Sequence, residues 1–514
     1  MPKALLINPP YLESFWSFKQ LCQNTGAKAM APPLGLMTVA ALLPREWQLR
    51  LVDVNTRPLM ESDWQWGDLV LLTGMLAQKE GLLALIREAK ARGKTVVVGG
   101  PYPTSVPERV LAAGADFLVR GEAENLLDEL LAVLKEGKPQ KVLESSSKPA
   151  MTSSPVPRFD LIQPSDYLTM CIQTSRGCPY NCEFCDVVSL YGRKPRYKHP
   201  DQVMTELESL YQLGWRREVF FADDNFIGNK DHARAILQKL IPWMKSRGEP
   251  FGFWTQASVD LGQDPGLVDL LTAANFDNVI VGVETPDPKV LATTRKHQNI
   301  QNPLDQSLTN IMNNGLGVVA SFMIGFDGEQ PGAVDRICDF VERNHIPLVT
   351  LNTLQVFPNT ALWQRLKREG RLLEEKTTGD MEGGRLNYLP TRSEAEILGE
   401  YARGIDFLCE PSRFLRRAYR HMLAMRPTRQ ALGLEEKGNH LAEEKNDLPG
   451  KRTEFRELAA ALKFFWRQGV RANYRGQFWR QLVDVYRRNP SRLMQYLNLC
   501  AQGENMFQRR AKLG

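Results

Sequence analysis

Three thiols stand within eight residues of this chain, in Cys178-Pro179-Tyr180-Asn181-Cys182-Glu183-Phe184-Cys185, spaced C-x3-C-x2-C. Thiolates are soft donors and select iron–sulfur clusters, zinc or copper(I). A structural zinc site takes four ligands, commonly as two separated pairs. No second pair and no nearby His completes a tetrahedron here, and Cys171 stands apart on an apolar stretch. Three cysteines around a cubane would leave one iron open to a substrate or cofactor. The competing reading is a zinc knuckle, or three unrelated surface cysteines.

With Phe184 as its aromatic, the stretch resembles the C-x3-C-x-aromatic-C motif of the radical S-adenosylmethionine (SAM) superfamily. The resemblance implies a [4Fe-4S] cluster on Cys178, Cys182 and Cys185. It also implies that SAM chelates the fourth iron through its amino and carboxylate groups and is cleaved to an adenosyl radical.

The cysteine loop needs a scaffold. Residues 166–356 repeat a strand–helix unit, with strands expected at Leu168–Thr174, Glu218–Ala222, Phe251–Gln256, Val279–Val283, Val318–Ile324 and Val349–Gln355. Six such units predict an open (β/α)6 barrel of the TIM type. Functional residues of parallel barrels sit at the carboxyl ends of strands. Asp223-Asp224-Asn225, Gln256 with Ser258, Glu284 and Gly325 with Asp327 and Glu329 occupy those ends. Asp224, Asn225 and Ser258 read individually as cap or turn residues. By resemblance, SAM contacts fall to Phe184, Asp223, Gln256, Glu284 and Gly325. The family's loop after the second strand often reads G-G-E, and this chain departs from it at Asp223-Asp224-Asn225.

Ahead of the barrel, residues 1–135 alternate short apolar runs, Ala4–Ile7, Gln48–Val52, Leu69–Thr73, Thr95–Val98 and Asp116–Val119, with helical stretches such as Gly81–Ala91 and Val106–Ala113. Runs without strict alternation fit parallel strands buried on both faces. A doubly wound (Rossmann-like) α/β domain follows, with ligands expected at the carboxyl ends of its strands. No G-x-G-x-x-G follows the first strand, which argues against a dinucleotide. Gly99-Gly100 would admit a ligand close to the backbone, although a plain turn explains it equally well. Beside the cysteine motif, the opening Leu5-Leu6-Ile7-Asn8-Pro9-Pro10, Pro32-Pro33-Leu34-Gly35-Leu36, Val98-Gly99-Gly100-Pro101 and Arg120-Gly121-Glu122-Ala123-Glu124 resemble a cobalamin-binding domain. Asn8, Thr73, Met75, Gly99, Gly100 and Glu122 become the candidate cobalamin contacts. Many such domains ligate cobalt with a His from a D-x-H-x-x-G loop. The first His of this chain is His199, so no imidazole is expected from residues 1–135. Met75 is the candidate for the lower face of cobalt, against the plainer reading of a packing Met.

Residues 136–165 are Ser/Pro-rich and read as a linker. Residues 357–434, from Phe357-Pro358-Asn359-Thr360 to Pro411-Ser412-Arg413 and a little beyond, resemble the mainly helical C-terminal extension of a cobalamin-dependent branch that includes hopanoid C-2 methylases. A charged linker at 435–452 precedes a basic, aromatic, helix-compatible tail at 453–514, with runs at Leu458–Phe465 and Phe478–Tyr486. Residues 451–514 hold 14 Lys/Arg against 4 Asp/Glu, while the whole chain of 514 residues carries only +6. Aromatic and Arg-rich faces on one helix suit an anionic membrane surface. Packing of the aromatics on the barrel, with solvated arginines, is the alternative.

With 43% hydrophobic and 24% charged residues the chain is ordinarily globular. Eight cysteines without a regular framework argue against a secreted disulfide scaffold. No signal peptide and no membrane span is expected, and a cytoplasmic enzyme fits, peripheral to a membrane if the tail docks. The implied activity is cobalamin-dependent radical SAM methylation of an unactivated carbon, of a hopanoid or another polycyclic lipid. The alternatives are a same-architecture enzyme without methyl transfer, such as a ring cyclase of the Mg-porphyrin type, and a non-catalytic cobalamin or redox sensor. The expected partners are a small-molecule substrate and an external flavodoxin- or ferredoxin-like electron donor. With no visible RNA-binding module, nucleic acid is not expected.

Overall fold

Two parallel sheets account for nearly every apolar run. The computed structural model describes residues 1–137, 141–434 and 461–513; the expected linker at 435–452 and the first residues of the tail lie outside them. In the first sheet the strands are β1 Lys3–Asn8, β2 Gln48–Asp53, β3 Leu69–Thr73, β4 Thr95–Gly99, β5 Phe117–Arg120 and β6 Lys141–Glu144. They run parallel in the order β2-β1-β3-β4-β5-β6. Successive residues of one strand feed opposite cores. Leu5, Ile7, Val70, Leu72, Val96 and Val98 pack on one face, and Ala4, Leu6, Leu69, Leu71 and Val97 on the other. Burial on both faces explains why these runs show no period of two. The order reverses between β1 and β3, which opens a crevice at their carboxyl ends. β6 falls inside the stretch read as linker. Only Leu143 of its four residues is buried, so its pattern is too short to announce a strand.

The second sheet holds β7 Met170–Ile172, β8 Glu218–Phe221, β9 Gly252–Gln256, β10 Phe276–Glu284, β11 Gly317–Ile324 and β12 Leu348–Thr353. All pair in parallel and in chain order, from β7 at one edge to β12 at the other. This is the partial (β/α)6 barrel. Helices Pro200–Gln212, Lys230–Ser246, Pro265–Ala273, Leu304–Asn313 and Ala333–Arg343 cover its outside. Asn229 caps Lys230–Ser246 by accepting from the backbone of Asp231 and His232, both at 3.1 Å.

A helical C-terminal region closes the fold: Glu394–Leu408, Pro411–Ala424, Arg475–Arg488 and Leu493–Leu513. Arg417 is fully buried and stitches it to the barrel, donating to the carbonyls of Ile346 (3.0 Å) and Leu408 (2.6 Å) and pairing with Glu342 at 2.7 Å. Arg509, in the last helix, donates to Leu351 O at 2.6 Å and Tyr401 Oη at 2.8 Å. Of the tail aromatics, Phe464, Phe478 and Tyr496 are buried, whereas Trp466, Trp479 and Tyr486 are exposed. No helix of the described residues is long and apolar enough to cross a membrane.

Candidate active site

The cysteine loop leaves the carboxyl end of β7 and is held from several sides. At its base Ser175–Arg176 pairs antiparallel with Arg196–Tyr197. Gly177 turns the chain at φ +97°, where a Cβ would lie 2.9 Å from Gly192 O, so only glycine fits. Asp223, fully buried at the end of β8, accepts from Thr174 N (2.6 Å), Ser175 N (2.8 Å) and the Thr174 hydroxyl. Asp224 accepts from Gly177 N at 2.8 Å. On the far side Glu183 N donates to Thr294 O, and Arg365 grips the Glu183 carboxylate at 2.6 and 3.2 Å.

All eight cysteines are free thiols. Only Cys178, Cys182 and Cys185 are partly exposed, while Cys22, Cys171, Cys338, Cys409 and Cys500 are buried. Burial pushes the Cys178 and Cys185 thiols up, as it pushes Cys171 up to about 12. A metal binding there must therefore displace protons. The three thiols also feel one another electrostatically. Among the described residues no three His, Cys, Asp or Glu groups converge on a single ion. A cubane takes one thiolate at each of three separate irons, so it does not require three thiols to converge on a single ion.

The strand-end residues divide by position. Phe184 packs against Phe326, one residue beyond Gly325, at 5.6 Å between ring centroids, and Lys296 Nζ lies 5.8 Å from its ring. Glu284 holds a left-handed φ of +63°, is buried, and pairs with Lys296. Gly325, at φ +103°, offers its carbonyl to the Tyr388 hydroxyl, and a Cβ there would meet that oxygen at 2.7 Å. Phe184, Glu284 and Gly325 thus gather at the cysteine loop. Asp223 lies beneath it with both carboxylate oxygens engaged inside the protein. Gln256 lies exposed at the end of β9, where its carbonyl accepts from Phe226 N. The Asn225 amide donates to the Ser258 hydroxyl at 3.0 Å, a bond between the loops that follow β8 and β9. Lys296, Arg365, Gln298 (3.5 Å from Cys182 Sγ) and Tyr388 join the site without any signal in their spacing.

A second cavity, of about 360 Å³, opens at the carboxyl ends of β1, β3, β4 and β5. Asn8, Thr73, Met75, Gly99, Gly100 and Glu122 all line it. Gly100, at φ +101°, passes so close to Thr73 that a Cβ would collide with Thr73 Oγ1. The side chain of Asn8 is spent internally, donating to Asp53 at 2.9 Å and accepting from Gln78 at 3.1 Å. Met75 is 46% exposed, so it is not a core-packing methionine. The wall opposite the first sheet comes from the barrel: Gln173, Arg176, Leu190 and Tyr191. Glu122 does not reach into this space alone, because it is clamped by Arg176 at 2.7 Å and Arg196 at 2.7 Å.

The cavity suits a large, largely apolar ligand that meets glycine backbone at one end and polar groups at its rim. No imidazole lines it among the described residues. With cobalamin in this cavity, as the resemblance of residues 1–135 implies, electron paramagnetic resonance of the Co(II) form is expected to show no superhyperfine splitting from a protein nitrogen. A splitting abolished by mutating a His would refute the histidine-free assignment.

Three family models match the chain: "B12 binding domain" over residues 25–131, "Radical SAM superfamily" over 172–341, and a domain of unknown function (DUF4070) over 360–513. The last takes in the described part of the basic, aromatic tail. The chain is 43% identical over 513 residues to an uncharacterised methyltransferase, sll1242, of Synechocystis sp. (strain PCC 6803), covering 99% of this chain and 92% of that protein. It is 37% identical to the hopanoid C-2 methylase of Rhodopseudomonas palustris (strain TIE-1), over 73% of this chain and 71% of the methylase. In fold it is similar to the radical SAM methyltransferase TsrM of Kitasatospora setae, solved with cobalamin and a [4Fe-4S] cluster. That match has a TM-score of 0.59 and 17% identity, and covers 78% of this chain and 85% of TsrM.

Proposed function

The chain belongs to the cobalamin-binding radical SAM family, and from that premise we propose that its methyl acceptor is an unactivated carbon of a hopanoid or another polycyclic lipid. It is a cobalamin-dependent radical SAM methyltransferase, and its cofactors are a [4Fe-4S] cluster, SAM and cobalamin. When bound, these supply hydrogen abstraction from carbon and a transferable methyl group, and the protein's share is orientation and exclusion of water.

One observation carries the geometry of methyl transfer. The segment that leads into the cysteine loop, through Gln173 and Arg176, is also a wall of the cavity on Gly99 and Gly100. An acceptor between the two sites would face both. In this reading Cys178, Cys182 and Cys185 hold the cluster. Phe184, Glu284 and Gly325 border SAM, with Gln256 on the open wall, and Asp223 acts by holding the loop. Thr73, Gly99, Gly100 and Met75 meet cobalamin, while Asn8 and Glu122 shape its cavity from behind.

The lipid acceptor rests on the similarity to the hopanoid C-2 methylase. Peripheral membrane contact through the tail and a flavodoxin- or ferredoxin-like donor complete the reading. Incubating the anaerobically reconstituted enzyme with CD3-labelled SAM, reductant and a hopanoid-containing lipid extract is expected to yield a polycyclic lipid carrying one CD3 group. A label found only in a tetrapyrrole or other non-lipid product would overturn the lipid assignment. A new ring without label would overturn methyl transfer to this acceptor class.

A further inference from the structure

Of the 17 large hydrophobic side chains exposed on the described residues, seven fall between Leu462 and Met494. Scattered exposure is ordinary on a protein surface, but clustering of this kind marks an interaction face. In the helix Arg475–Arg488, Trp479, Val483 and Tyr486 recur at i, i+4 and i+7 and share one face, exposed by 43%, 44% and 63%. The opposite face, with Phe478, Gln481 and Val485, is buried. Just upstream, Trp466 and Val470 are exposed by 58% and 48%. The two segments touch. The Trp479 indole donates to Gly469 O at 2.8 Å and stacks on Phe465 at 5.9 Å. A Cβ on Gly469 would come within 2.8 Å of the indole ring, so glycine is what lets the segments close into one ridge.

Cations border the ridge. Arg480 and Arg487 run along one flank of the helical row, Arg475 stands at its start and Arg471 at the turn, all exposed. The one acidic side chain of this helix, Asp484, is already engaged by Tyr419 and by Arg488 at 3.4 Å. We propose, resting on the reading that the acceptor is a bilayer-dissolved lipid, that this ridge seats in the interfacial layer of an anionic membrane. Trp466, Trp479 and Tyr486 would enter at headgroup depth and the arginines would meet lipid phosphates. Amphipathic aromatic rings favour that depth, and arginine binds phosphate bidentately.

The test uses the full-length holoenzyme and flotation with phosphatidylcholine vesicles, with and without phosphatidylglycerol. Wild type is expected to float with the anionic vesicles at low ionic strength and to be released by salt. A W466D/V483D/Y486D triple variant and an R475E/R480E/R487E triple variant are each expected to lose at least ~10-fold in partitioning. Unchanged thermal midpoint and cobalamin absorbance would certify both variants as folded. Equal flotation of wild type and the apolar-face variant, no flotation of wild type at low salt, or a wild-type dimer that this variant splits would each overturn the proposal. Methylation of a hopanoid in detergent micelles separates it from the reading beneath it. Micellar turnover that the variants keep, with vesicle binding lost, supports both. Wild-type flotation without lipid methylation in micelles or vesicles removes the lipid acceptor and leaves the docking face standing.

Discussion

Alanine at any one of Cys178, Cys182 or Cys185 abolishes the iron–sulfur absorbance and reduces SAM cleavage to background, whereas alanine at Cys171 leaves both intact. The contrast follows from burial. Cys171 lies buried in β7, where burial pushes the thiol up to about 12. The three loop thiols are partly exposed, and the loop that carries them is fixed by Asp223, Asp224 and Arg365. The remaining four cysteines are also buried, so none can substitute for a lost ligand without opening the core. Iron analysis and anaerobic 5′-deoxyadenosine assays on the four single variants test this directly. Iron retained in any of the three loop variants, or lost in Cys171→Ala, would sink the assignment.

Most strands of both sheets could be read from the sequence because parallel strands buried on two faces appear as apolar runs, and each expected run, that of the half-buried edge strand Gln48–Asp53 included, overlaps a strand of the structure. β6 could not, because a single buried leucine in Lys141–Glu144 leaves its pairing to β5 as the only thing that makes it a strand. The residues that present chemistry were legible where spacing is local, as in the three cysteines. They were illegible where the partner is distant. Asp223 meets Thr174 and Ser175 across 49 and 48 residues, and Arg365 meets Glu183 across 182. Lys296 sits in Arg295-Lys296-His297, which reads as surface charge, yet it is buried on Glu284. In the tail, helical periodicity could not say which aromatics turn inward, because the five-residue π-helical turn Arg467–Arg471 shifts the register between one segment and the next.

Removal of one guanidinium should loosen both cofactor sites together. Arg176 stands two residues before Cys178 and reaches back to the first sheet, where it meets Glu122 at 2.7 Å and Glu124 at 2.8 Å. Its Nε also donates to Gln173 at 2.9 Å. The side chains of Arg176, Arg196, Glu122 and Glu124 keep only 12%, 16%, 4% and 4% of their exposure. Arg196 supports Glu122 from the other side, but the Glu124 oxygen that faces Arg176 makes no aligned hydrogen bond and depends on that cation for charge balance. Arg176→Ala therefore leaves a buried carboxylate uncompensated, and breaking a buried pair in this way costs ~3–5 kcal/mol. The loss is expected as a lowered denaturation midpoint of the cofactor-free chain. Cobalamin retention should fall with it, because Gln173 and Arg176 are cavity walls. Arg176→Lys should recover only part of both, since one ammonium can replace Nη1 at the two carboxylates but has no second nitrogen to hold Gln173 as Nε does. The decisive variant combines Arg176→Met with Glu124→Gln, which removes one cation and one anion and leaves the Arg196–Glu122 pair intact. Replacing a buried ion pair with neutral groups of similar size is often close to neutral for stability. The combined variant should therefore regain most of the lost stability and still hold cobalamin weakly, because Arg176 no longer ties the cysteine loop to the cavity rim. If Arg176→Ala is as stable as wild type, the network is not a buried clamp. If the combined variant binds cobalamin as tightly as wild type, the clamp stabilises the fold and does not position the cofactors.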